Sequence, residues 1–200
     1  MATLIFLATV ITILILFIGL IINIIKHERV FSTIRMIVIV IAAYFFLWVI
    51  FYYKSVERAV PLGTDICFDD WCATITKIEK PKTLGKENHL LIPHGQFIIL
   101  HIKVSNQAKG IAQKPSEPRV NIIDEQGRSW QFSKEGQQAL EESTGRQIPI
   151  DEKLELHQSL ETQLVFEIPK DAKNLMIIID EGPFITKLLL NEDKKIFRIE

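Results

Sequence analysis

Two long apolar runs without a single charge, close together at the start of this 200-residue chain, constrain its fold more than any other feature. In residues 4–25 only Ala8, Thr9, Thr12, Gly19 and Asn23 are not Leu, Ile, Phe or Val. As a helix this run reaches about 33 Å, enough to cross a hydrocarbon core of about 30 Å. Its start, Met-Ala-Thr, carries no positive charge, and its end, Asn23-Ile-Ile-Lys-His, offers no small-residue cleavage site. It therefore reads as a transmembrane helix rather than a signal peptide. Residues 36–53 form the second run, all apolar or aromatic, with Phe45, Phe46, Trp48, Phe51, Tyr52 and Tyr53 crowded toward its end like the aromatic belt of a membrane surface. Two helices apolar all round would need a large protein to bury them, and what remains is about one domain long. The expected organisation is a transmembrane helical hairpin over 1–53, with helices 4–25 and 36–53 and loop 26–35. A linker follows over 54–62, then one domain over 63–200.

The loop carries Lys26, Arg29 and Arg35, while the tail before the first helix has no basic residue. The positive-inside rule places the loop in the cytoplasm and the C-terminal domain outside it, although Lys54 and Arg58 pull the other way. A cytoplasm-facing scaffold or regulatory domain of a membrane complex is the alternative. Residues 54–200 carry a net charge of −3. A slightly acidic domain has no basic footprint for nucleic acid.

The two cysteines lie in Cys67-Phe-Asp-Asp-Trp-Cys72. Along an extended strand they would be about 17 Å apart, whereas a disulfide needs Cα atoms within about 7 Å. A bridge therefore requires a turn, for which Asp69-Asp70 is suitable material. An extracytoplasmic location permits a structural disulfide; a cytosolic one would leave free thiols. Redox chemistry usually uses two intervening residues, and no second pair exists to complete a zinc site.

From Gly63 onward turn residues recur about every ten positions between short strand-like runs. Residues 96–106 put Ile98, Leu100, Ile102 and Val104 on one face, and Phe97, Ile99, His101 and Lys103 on the other. Residues 119–124 and 128–133 form a hairpin through Glu-Gln-Gly, with Gly127 free to take a positive φ. Residues 160–168 alternate and stop at Pro169; 174–180, 184–190 and 195–199 follow, and 72–78 with a short piece before Cys67 precede them. Residues 134–143 read as a surface turn at best. This pattern predicts an all-β immunoglobulin-like sandwich of about eight or nine strands behind two transmembrane helices.

Three marks in this region carry a resemblance: a strand ending in Asn106, an Asp-x-x-Gly hairpin at residues 124–127, and Leu-Val-Phe-Glu-Ile-Pro over 164–169. Across residues 95–179 the chain resembles a family of bacterial immunoglobulin-like domains of unknown function, related to the mycobacterial secreted immunoprotective antigen. Some members of that family carry a misleading telomeric-repeat-binding label. Where the family commonly has a Pro-Gly turn before the Leu-Val-Phe strand, this chain has His157-Gln158. The resemblance implies an extracytoplasmic β-sandwich, often behind a membrane anchor. It implies no reaction and no catalytic residue.

Chemistry is sparse. His89, His94 and His101 have no helical metal-ligand spacing, so a metal-handling domain is the weakest alternative. Asp65, Asp69 and Asp70 lack the alternating pattern and distal glutamate of a calcium loop. No nucleophile elbow, phosphate loop or zinc-protease motif occurs. Neither catalysis nor a cofactor is expected. The remaining function is binding: an anchored envelope protein whose outer domain meets a protein partner or surface component, with the bilayer as its other partner. Phe97, Ile99, His101 and Trp130 are the candidate interaction surface, unless a second layer covers them.

Overall fold

The computed structural model describes residues 2–26, 30–54, 58–68, 70–86, 88–182 and 195–199. The helices and the sandwich are two compact units, each described by itself.

The first apolar run forms α1 (Ala2–Ile25), and the second lies within α2 (Val30–Lys54). Because α2 begins six residues before its apolar run, much of the expected 26–35 loop is helical. Hydropathy marks the medium a helix prefers, not where its hydrogen bonding stops, and residues 30–35 contain no Gly or Pro to end a helix. The two helices run antiparallel: the Phe6 ring lies 6.1 Å from that of Tyr44, and Asn23 Nδ2 donates to Thr33 Oγ1 at 2.8 Å. Half-covered positions recur at 6, 9, 13, 16, 20 and 23 in α1 and at 30, 33, 37, 40, 44 and 48 in α2, the spacing of a helix-helix seam. Thr9, Asn23, Thr33, Tyr44 and Trp48 lie on that seam. Leu14, Ile15, Phe17, Ile18, Val38, Ile39, Phe45 and Phe46 point away from it. Thr12, also outward, returns its hydroxyl to the Ala8 carbonyl at 2.8 Å.

The described strands are β1 (Arg58–Val60), β2 (Ile66–Cys67), β3 (Trp71–Glu79), β4 (Leu84–Lys86), β5 (His89–Leu91), β6 (Gln96–Asn106), β7 (Arg119–Ile123), β8 (Ser129–Trp130), β9 (Ser159–Ile168), β10 (Met176–Asp180) and β11 (Lys195–Arg198). They form a four-stranded sheet in the order β2-β3-β6-β9, a five-stranded sheet in the order β1-β11-β10-β7-β8, and the separate β4–β5 hairpin. The expected strand at 184–190 lies outside the described residues. β1 pairs parallel with β11, so the expected 54–62 linker contributes a strand.

The aliphatic face of β6 meets the other sheet. Ile98, Leu100, Ile102 and Val104 are buried with Ile75 of β3, Phe166 and Ile168 of β9, Ile122 of β7, Ile177 of β10 and Phe197 of β11. Alternation breaks at Thr76, where the β3–β6 register slips. This bulge lets both Ile75 and Ile78 turn inward.

The main departure from the sequence reading is α3 (Lys134–Thr144), three turns of helix rather than a surface turn. Ser133 caps it, its Oγ accepting from the Gly136 N–H at 3.1 Å. Ala139 and Leu140 pack on Phe97, Ile99 and Val165, making a second core with Leu84 on the outer face of the four-stranded sheet. Of the adjacent glutamates that argued for a turn, Glu141 is half-buried and Glu142 exposed, on a helix that is apolar only along one narrow stripe.

Candidate functional site

Cys67 and Cys72 stand directly opposite on β2 and β3 with Cα atoms 4.0 Å apart, and they are disulfide-bonded. The Phe68 N–H donates to the Trp71 carbonyl at 2.9 Å, and their rings stack with centroids 4.5 Å apart. Neighbouring segments lash this hairpin down. Asp70 accepts from the Gln107 N–H at 2.8 Å through its carbonyl and from Gln113 Nε2 at 2.5 Å through its carboxylate. Trp71, itself buried, donates its indole N–H to Glu181 Oε2 at 2.6 Å. At the end of β6, buried Asn106 spreads its Nδ2 over the carbonyls of Ile111, Leu154 and Glu155 at 3.1, 3.0 and 3.2 Å, while its Oδ1 accepts from the Ala108 N–H. Strand ends of both sheets are thus joined by polar side chains at one end of the sandwich.

The Asp-x-x-Gly mark is also structural. Asp124, 1% exposed, accepts from the N–H groups of Gln126 and Arg128 through Oδ1 and from Arg128 Nε at 2.7 Å through Oδ2. Arg128 reaches Asp171 with Nη1 at 2.7 Å and lies over the Trp130 ring, 5.4 Å from its centroid. Burial pushes the Asp124 carboxyl up, but the hydrogen bonds and charge of Arg128 outweigh it and leave the group below the usual carboxylate range. The Arg128 hydrogen bond holds Asp171 low as well.

The four residues expected to form an interaction surface do not converge. Phe97 and Ile99 lie beneath α3, 0% and 4% exposed, which removes them from any binding surface. The reason is the unforeseen helix, which gives the second face of β6 a layer of its own. His101, further along that face, is only partly covered; its Nε2 lies 3.0 Å from Glu79 Oε1, which Lys77 also contacts at 2.5 Å. The Lys77 hydrogen bond, ahead of the opposing effect of burial and aided by His101, keeps Glu79 below the usual carboxylate range. Trp130 belongs to the other sheet and leans on the core between the sheets. The metal candidates are likewise dispersed. His89 faces Glu142 at 3.9 Å, the His94 N–H donates to Glu167, and Thr74 donates to Asp65. Among the described residues no three His, Cys, Asp or Glu side chains gather as a metal site.

Sequence reasoning singled out Asn106 and Asp124 only as marks of a resemblance and missed their bonding roles, and it missed Arg128, Asp171 and Gln137 altogether. The Gln137 amide bonds both the Gln163 carbonyl and the Val165 N–H, at 2.9 and 3.0 Å, closing the outer edge of β9 as a neighbouring strand would. A buried polar side chain looks like any surface residue in a sequence. The available signal was position, with Asn106 at a strand end and Asp124 three residues before a glycine.

Residues 62–188 match the model of a domain of unknown function, DUF4352. The chain belongs to the DUF4352 family. A conserved hypothetical protein of Bacillus anthracis has a similar solved structure, 19% identical, covering 72% of this chain and 96% of its own, with a TM-score of 0.52. The secreted protein MPT63 of Mycobacterium tuberculosis is 11% identical over 72% of this chain and 99% of its own, with a TM-score of 0.46. An uncharacterised β-sandwich protein of Clostridium difficile is 12% identical over 72% and 97%, with a TM-score of 0.45. No curated protein matches the chain. The DUF4352 description and the neighbours' names carry no enzymatic activity. The resemblance to a family of domains of unknown function, read from residues 95–179, thus extends over residues 62–188.

Proposed function

We propose that this protein is anchored in the cell membrane by α1 and α2 and presents its sandwich outside the cytoplasm as a binding module for another protein or a surface component. The observation that carries the reading is the inverted polarity of the helix pair. Thr9, Asn23, Thr33, Tyr44 and Trp48 line the seam, while the outward face is mostly aliphatic and aromatic, an arrangement that suits lipid and would aggregate in water. Each helix has a stretch long enough to span a bilayer, residues 6–25 and 30–50. Lys26 and Arg29 between the helices, with Arg35 in the second turn of α2, favour a cytoplasmic turn. The Cys67–Cys72 disulfide suits an oxidising compartment. Binding is favoured over catalysis because Asp65, Asp70, Glu79, Asp124 and Glu181 are each engaged in holding strands or loops together.

Thiol labelling in intact cells with a membrane-impermeant maleimide tests this. Labelling of Cys67 and Cys72 only after a reductant is added is the expected result. Labelling only after lysis, without reductant, would place the domain in the cytoplasm as a scaffold or regulator and overturn the proposal.

A further inference from the structure

β1 is the first strand to follow the membrane helices: three residues separate Lys54, the end of α2, from Arg58. In a chain anchored by those helices, tension passing along the chain from the anchor enters the sandwich at Arg58. β1 pairs parallel with β11, Arg58 level with Lys195 and Val60 with Phe197. β11 in turn sets Ile196 opposite Ile178 and Phe197 opposite Ile177. Arg58 thus stands toward the Asp180 end of the five-stranded sheet, and β1 runs from there toward the Met176 end. Ladder hydrogen bonds cross between strands, so a force along the strands loads every rung together, whereas a force across them breaks one rung at a time. A pull on Arg58 resisted at the Met176 end runs along β1 and meets its three register pairs at once. The same pull resisted across the sheet at the Asp180 end peels them in turn.

The chain beyond β1 adds a stop. The Gly63 N–H donates to the Ile75 carbonyl at 2.9 Å, and β2 then meets β3 through only two register pairs, Ile66 with Ala73 and Cys67 with Cys72. Tension arriving from β1 opens this hairpin from its free end and reaches the disulfide after one pair. The bond hands the tension to β3, which holds β6 through eight register pairs. It also takes the turn between the cysteines out of the path. Trp71 and Asp70, which tie that turn to Glu181, Gln107 and Gln113, then brace the hairpin as one unit instead of yielding in sequence. The apolar core between the sheets includes neither cysteine, so the bond stands on the tension path and not where the packing is thickest.

We propose that β1, β11 and the Cys67–Cys72 hairpin form a tension-bearing joint, through which the sandwich withstands force drawn along its strands away from the membrane anchor. The β1–β11 pairing is the latch, and the disulfide is the stop that limits its release to residues 58–66. This rests on the anchored-module reading and gives that module a mechanical role.

The test pulls the full chain, held in phosphatidylcholine nanodiscs, between two handles in optical tweezers. Azide-bearing side chains at position 54 and at either 173 or 116 carry the handles, so the native cysteines stay paired and the helices stay out of the force path. Lys173 is exposed three residues before β10 begins, and Ser116 is exposed at the opposite end, where its carbonyl accepts from the Gly182 N–H. The first rupture is expected at a force about twofold or more higher with the handle at 173 than at 116, because the rungs then share the force. Pulled through 173, it should release only residues 58–66, about 30 Å of chain, and halt until a higher force is reached. Reductant should lengthen that release by about 13 Å, the extended span of five positions less the 4.0 Å between the cysteine Cα atoms. Equal forces in the two directions, a first rupture that unfolds the whole sandwich, or a release of the same length with and without reductant would each overturn the proposal. Thiol labelling reads topology without force, so failure of this inference is distinguishable from failure of the anchored reading.

Discussion

His157 occupies the third position of a tight turn in which the Gln158 N–H donates to the Glu155 carbonyl at 3.0 Å, and its φ is 60°. An L-residue pays about 1–2 kcal/mol for that conformation, which glycine adopts without steric cost but with more entropy to lose. His157→Gly should therefore stabilise the domain by about 0.5–1 kcal/mol in urea unfolding. A loss of stability would mean that the exposed imidazole contributes to the folded state. Asp124 and Asp171 give a second prediction. Folding depresses both carboxyls, so the stabilisation they contribute is complete above the unfolded value, about pH 4, and disappears as pH falls through their lower folded values. Melting temperatures measured from pH 7 to pH 2 should drop steeply below about pH 4. Asp124→Asn should melt lower at pH 7 and show a flatter acid limb; an identical acid limb would remove Asp124 from the account.

At the scale of elements, α3 decides which residues count as surface. Gly136 sits where the helix comes closest to β9: an added Cβ would lie 2.7 Å from Val165 Cγ1. Replacing glycine by alanine in a helix ordinarily stabilises by up to about 1 kcal/mol. Here Val165 is buried and branched at Cβ, with little freedom to move aside, and overpacking costs about 1–3 kcal/mol. Gly136→Ala should thus destabilise by about 1 kcal/mol, whereas Gln138→Ala on the exposed side should be neutral or slightly stabilising in the same thermal assay. Stabilisation by Gly136→Ala would show that α3 does not seat on β9 this closely.

At the scale of the whole molecule, the one disulfide joins adjacent strands and closes a very short loop. The chain-entropy account gives such a loop about 2 kcal/mol. Reductant should lower the domain's melting temperature by roughly 5–10 °C without abolishing folding, because the core between the sheets contains neither cysteine. Complete unfolding on reduction would mean that the lashed end, with Asp70, Asn106 and Glu181, holds the two sheets together more than their apolar faces do.

The helix pair, the sandwich and the strands of its centre were legible in the sequence because each rests on periodicity within one segment. Charge-free runs mark helices for an apolar medium, and Ile98, Leu100, Ile102 and Val104 state at period two which face of β6 is buried. The cysteine pair was legible for the same reason, since five positions and two turn-forming aspartates confine it to one hairpin. Tertiary structure alone decided the rest. Whether Phe97 and Ile99 met water depended on α3, about forty residues away and apolar on too narrow a stripe to announce itself. The β1–β11 pairing joins chain segments more than 130 residues apart; residues 195–199 read as a strand, but three-residue β1 is too short to carry a pattern and nothing local names its partner. The outward Leu90 of β5 became distinct from core residues only once Leu84 and Leu91 had taken the inner face. Local sequence states which side chains alternate, but burial is a property of whatever arrives from elsewhere to cover them.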